Sequence, residues 1–92
     1  MASRRKLKKT MQFIASELIT DVFFKTLLSK KDVSEKADIL AVDISKMATE
    51  FRARADHYDS KNNPKLVKDY YRKVYSDWNA AVEKMIKDID EL

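Results

Sequence analysis

Apolar residues recur every three or four positions along three long stretches of this 92-residue chain, with two short polar breaks between them. In the first stretch, over about 3–29, the stripe is Leu7, Met11, Ile14, Leu18 and Val22, widened by Ala15 and Ile19. That spacing puts one apolar face on an α-helix, and Ser3 has the side chain of an N-cap. The break at Lys30 and Lys31 leads to Asp32, which reads as an N-cap, and Glu35 three residues on would complete a capping box. A second helix over 33–58 carries Ala37, Leu40, Ile44, Met47 and Phe51 on its seam, with Ala41, Ala48 and Ala55 beside it at intervals of seven. Small residues at that interval let a neighbouring helix come close.

The second break, over 59–63, is the one loop-like composition in the chain. Asn63 as N-cap and Pro64 at the first helical position make a strong start signal. A third helix over 64–90 then shows Val67, Tyr71, Val74, Trp78, Ala81, Met85 and Ile89 in an alternating four-three rhythm. That rhythm is the seam of left-handed, nearly antiparallel helix packing. Short connections make successive helices antiparallel neighbours. The expected fold is therefore all-α, an up-down-up three-helix bundle forming one domain over 1–92, about 38 Å long at 1.5 Å per residue.

Composition reinforces the helical reading. The chain has no glycine, and Pro64 is its only proline, where average usage would supply about six and about four or five. Without glycine, neither of the glycine-rich phosphate-cradling motifs can be built. The absence of cysteine excludes disulfides, thiolate metal sites and a cysteine nucleophile, and it fits a reducing compartment. No apolar run approaches the ~20 residues of a membrane span, so a cytoplasmic protein is the simplest expectation.

Charge sorts by end once the helices are folded up and down. Residues 1–16 and 47–77 share one end and hold twelve Lys/Arg against five acids, a balance of +7; the other end has seven against ten, a balance of −3. The first sixteen residues contain no acid. Bases in the first turns of a helix oppose its macrodipole. The basic end thus reads either as a solvated terminus or as a surface for an anionic partner.

Residues capable of chemistry are few. His57 stands alone, without a second His or Cys to complete a zinc set, and reads as a surface histidine. The ferritin-like di-metal arrangement needs two Glu-x-x-His motifs, and acyl transfer needs a Ser–His or Cys–His pair; the sequence signals neither. Asp21, Lys25 and Arg54 intrude on apolar seams and are expected at their drifting edges, reaching solvent, with Asp21 and Lys25 spaced to form an i,i+4 ion pair. The competing reading is a buried polar contact that fixes register. Tyr70, Tyr71, Tyr75 and Trp78, interleaved with Arg72 and Lys73, have the makings of a base-stacking surface but read better as core and core boundary, with tyrosine hydroxyls in water.

Apolar side chains exceed what three seams need. Phe13, Phe23, Phe24 and Leu27 fall outside the stripe of the first helix, and Ile39 and Ile86 fall off the other two. Large exposed apolar patches mark interaction sites.

The opening Ser3-Arg-Arg-Lys-Leu-Lys-Lys9, the run Phe13-Ile-Ala-Ser-Glu-Leu-Ile-Thr-Asp-Val-Phe23, the segment Phe51-Arg-Ala-Arg-Ala-Asp-His57 and the segment Tyr70-Tyr-Arg-Lys-Val-Tyr-Ser-Asp-Trp78 together resemble a family of short, all-helical bacterial proteins. The resemblance implies a helical fold; that family has no assigned activity, so no functional residue carries over.

Two functions follow as expectations. One is a non-catalytic helical interaction or adaptor protein, acting without cofactor, metal, membrane or small-molecule substrate. It would pair with itself as a homodimer or bind a protein partner through Phe13, Phe23, Phe24 and Leu27. The alternative is sequence-nonspecific nucleic-acid binding by Arg4, Arg5, Lys6, Lys8, Lys9, Lys61, Lys65 and Lys68, which would contact phosphates without reading bases.

Overall fold

The computed structural model describes residues 4–29, 32–56 and 64–92, apart from the side chain of Arg4. The expectations placed on Ser3, Lys30, Lys31, His57, Lys61 and Asn63 lie outside these residues. The described chain is three α-helices and no strand: α1 (Arg4–Leu28), α2 (Ser34–Ala55) and α3 (Pro64–Asp90). They pack in sequence as an up-down-up bundle, α1 most intimately against α2, with α3 seated less deeply across the pair.

The core is built from the seams. Leu7, Met11, Ala15, Leu18 and Val22 of α1 meet Ala37, Leu40, Ile44, Met47, Ala48, Phe51 and Ala55 of α2, and Val74, Trp78, Met85 and Ile89 of α3 close the third side. Ile14 and Ile19 lie on the flanks of the α1 stripe, partly buried. Alanine is frequent where α1 and α2 face each other, and the absence of longer side chains lets these two backbones approach. Phe51 and Trp78 meet edge to face, with ring centroids 5.3 Å apart, an arrangement that places one ring's positive edge on the other's negative face.

Three local expectations are corrected. First, α2 begins at Ser34, with Val33 as the residue before it. Asp32 lies one position further out. Its carboxylate accepts from the Ser34 amide at 3.1 Å and the Ser34 hydroxyl at 2.7 Å, and those bonds lower its pKa from the ordinary aspartate value. A first-turn amide is thus satisfied from outside the helix. Glu35 acts as a first-turn acid facing the helix dipole rather than as half of a capping box. Second, α2 ends at Ala55, and Asp56 is already a turn. Third, the molecule measures 53 × 18 × 17 Å, longer than the 38 Å expected of helices in register.

Stagger contributes to the extra length. The Tyr70 and Tyr71 hydroxyls donate to the Arg54 and Ala55 carbonyls at 2.8 and 2.6 Å, so the first turn of α3 projects past the end of α2. At the other end, the Lys25 ammonium reaches the carbonyl of Asp90, the last residue of α3, at 3.4 Å. The last turn of α1 lies beside the last turns of α3, yet Leu27 and Leu28 remain exposed to 81 and 77%.

Candidate interaction faces

The outward side of α1 carries the four apolar residues singled out from the sequence. Phe13, Phe23, Phe24 and Leu27 are exposed to 66, 53, 60 and 81%. At 100° per residue, Phe13, Thr20, Phe24 and Leu27 fall along one line opposite the buried stripe, and Phe23 flanks them. Leu28, Val42 and Leu66 are also exposed, and the sequence reading passed them over. Leu28 could have been found: it follows Leu27 in a segment that is apolar on nearly every side. Between α1 and α3, a shallow groove of about 270 Å³ is lined by Phe24, Leu28, Ile86 and Ile89, with Asp21, Lys25 and Asp90 at its rim.

Threonine hydroxyls on the outer face are satisfied internally. Thr20 donates to the Ser16 carbonyl at 2.9 Å, and Thr10 to that of Lys6 at 3.0 Å. Covering Thr20 with another surface would leave no donor unpaired.

The basic end is assembled as the topology requires, and four of its bases gather around one groove. Arg5, Lys8 and Lys9 join Gln12, Arg52 and Asp56 around a groove of about 470 Å³ between α1 and α2. Lys8 is already engaged, 2.7 Å from Asp56. Lys6, Lys65 and Lys68 are exposed at the same end but outside that groove. Arg4 contributes its place at the start of α1, and Lys61 falls outside the described residues. Arg52 was not foreseen as a groove residue, because only the α1–α2 pairing brings it beside Lys8.

The charged residues on the seams resolve as edge contacts. Asp21 is exposed, while Lys25 and Arg54 are half-buried. Lys25 turns across to the end of α3 instead of along α1 to Asp21, where its charge meets the negative pole of that helix. Arg54 binds Asp77 of α3 at 2.9 Å, and its guanidinium lies 5.0 Å from the centre of the Phe51 ring. The bond to Asp77 raises the Arg54 pKa above its ordinary value. Both partners keep about a third of their surface in water, so this is a boundary staple of modest strength. The tyrosines differ from expectation: their hydroxyls cap the carbonyls of the last turn of α2 rather than pointing into water, because the offset of α3 places both beside that helix end. Tyr75 is exposed and Trp78 is buried.

Among the described residues no group of three or more His, Cys, Asp or Glu is placed to hold a metal. No described helix is long and apolar enough to cross a membrane. Compared with protein-family models, with curated proteins and with solved structures, the chain matches none of them.

Proposed function

We propose that this protein works by non-covalent contact, as a helical module that pairs with a second copy of itself through the outer face of α1. The observation that carries this reading is the exposure of Phe13, Phe23, Phe24 and Leu27 together on one side of one helix. Large apolar side chains dominate binding energy where they are fully desolvated at the centre of an interface. Core demands do not account for them, since the opposite face of α1 already supplies Leu7, Met11, Leu18 and Val22 to the bundle.

Phe24→Glu tests the reading. Sedimentation equilibrium at micromolar concentration should give the wild-type chain twice its 10.8 kDa monomer mass. The variant should sediment as a monomer with unchanged helical circular dichroism, because the side chain it alters is outside the core. A wild-type protein that stays monomeric, or a variant that stays dimeric, removes Phe24 and its neighbours from the interface.

A second reading rests on the α1–α2 groove, where four bases face one acid. We infer that this groove would take a phosphodiester backbone. Anisotropy with mixed-sequence duplex DNA should then show affinity falling with salt at a slope of about −3 for some three phosphate contacts. Neutralising Arg5, Lys8 and Lys9 should abolish it. Absence of binding at low salt would leave the basic end as a solvated terminus.

A further inference from the structure

Pairing through α1 leaves open how the two copies run, and the structure carries an answer. We propose that two copies pack antiparallel along the outer faces of α1, about a two-fold axis at Thr20; this rests on the self-association reading above. Three independent features point the same way.

The first is charge. The bundle is polarised, +7 at the end that holds the start of α1 and −3 at the end that holds its finish. The contacts of Lys8 with Asp56 and of Lys25 with Asp90 show that the fold brings these ends together as the topology requires. A parallel pair would set two +7 ends side by side. An antiparallel pair sets each beside the partner's −3 end, and each helix N-terminus beside a C-terminus.

The second is side-chain size. About an axis at Thr20, residue i of one copy lies opposite residue 40 − i of the other. Phe13 then meets Leu27 of the partner subunit, Phe24 lies level with Ser16 of the partner subunit, and Thr20 meets its own counterpart. Large faces large at the ends, and large faces small near the centre, as close packing requires. A parallel pair in register would stack Phe13 on Phe13 and Phe24 on Phe24, and leave Ser16 facing Ser16 across a gap. The Thr20 hydroxyl is already bonded within its own helix, so the axis can be dry.

The third is area. Phe13, Phe23, Phe24 and Leu27 are each more than half exposed. At roughly 150–250 Å² for a large side chain, they leave on the order of 500 Å² of apolar surface per copy. A pair would bury about 1,000 Å², the least that a biological interface needs.

The chain has no cysteine, so single spin labels can be attached cleanly at Lys9→Cys and Gln12→Cys, both exposed on α1. Double electron–electron resonance on the full chain should find the two Lys9 labels separated by about 33 Å and the two Gln12 labels by about 24 Å along the helix axis. These follow from 22 and 16 residues at 1.5 Å. Strong dipolar broadening of the continuous-wave spectrum at both sites, the mark of labels held near the roughly 8–10 Å between packed helices, would mean a parallel pair; that overturns the orientation while self-association stands. Labelled chains of monomer mass with no dipolar signal would overturn both.

Discussion

Replacing Trp78 by alanine should cost about 3–5 kcal/mol, the range for deleting a large buried aromatic. Trp78 is 3% exposed and is the largest side chain that α3 contributes to the core. It meets Phe51 edge to face, and the Phe51 ring is in turn covered by the Arg54 guanidinium. Removing the indole therefore empties a contact through which α3 packs on the α1–α2 pair. In a domain of this size each kcal/mol moves the midpoint by about 4–8 °C, so thermal unfolding at fixed protein concentration should shift down by about 12–40 °C. Tyr75→Ala is the control. It removes an aromatic from the same helix, but one whose ring is exposed, and should cost less than about 1 kcal/mol. Equal losses at the two positions would mean that α3 is not docked through Trp78.

Enlarging Ala55 to leucine should destabilise the bundle by about 1–3 kcal/mol, through overpacking rather than a cavity. Ala55 is fully buried in the last turn of α2, and its carbonyl accepts the Tyr71 hydroxyl at 2.6 Å. An isobutyl group there has no free volume to enter. It would push the end of α2 away from its neighbours and stretch the hydrogen bond that caps it. Ala53→Leu separates this from helix propensity, because Ala53 is exposed two residues earlier on the same helix and alanine and leucine are both strong helix formers. Urea unfolding should show Ala53→Leu within about 0.5 kcal/mol of wild type. If Ala55→Leu is as stable as Ala53→Leu, the close approach at the end of α2 is absent.

Much of this architecture was legible before folding. The four-three rhythm of Val67, Tyr71, Val74, Trp78, Ala81, Met85 and Ile89 marks the inward face of α3, with Tyr71 and Ala81 partly buried and the other five buried, because a seam of that spacing remains on one side of a helix. Phe13, Phe23, Phe24 and Leu27 were expected outside the α1 stripe for the same reason, and they are exposed. The start of α2 was less legible. Asp32 has the chemistry of an N-cap, yet its bonds to Ser34 are compatible with a helix that starts later, and side-chain chemistry alone does not choose between adjacent starts. The tyrosines were placed on the right face but with the wrong partner. Their hydroxyls meet carbonyls sixteen residues away in the chain, a relation that local pattern does not encode.

By itself, the sequence determined the helices, their apolar faces and the polarity of charge along the bundle. Each depends on periodicity within one segment, or on the up-and-down order that short connections impose. Tertiary structure alone decided the axial offsets of the helices, and much follows from those offsets. Tyr70 and Tyr71 cap α2, Lys25 meets the end of α3, and Arg52 joins Lys8 around one groove. A seam repeating every seven residues specifies which faces meet, but sliding one helix along another keeps those faces in contact. The offset of α3 on α2 is set by individual contacts such as Phe51 with Trp78 and Arg54 with Asp77, which join residues more than twenty positions apart in the chain.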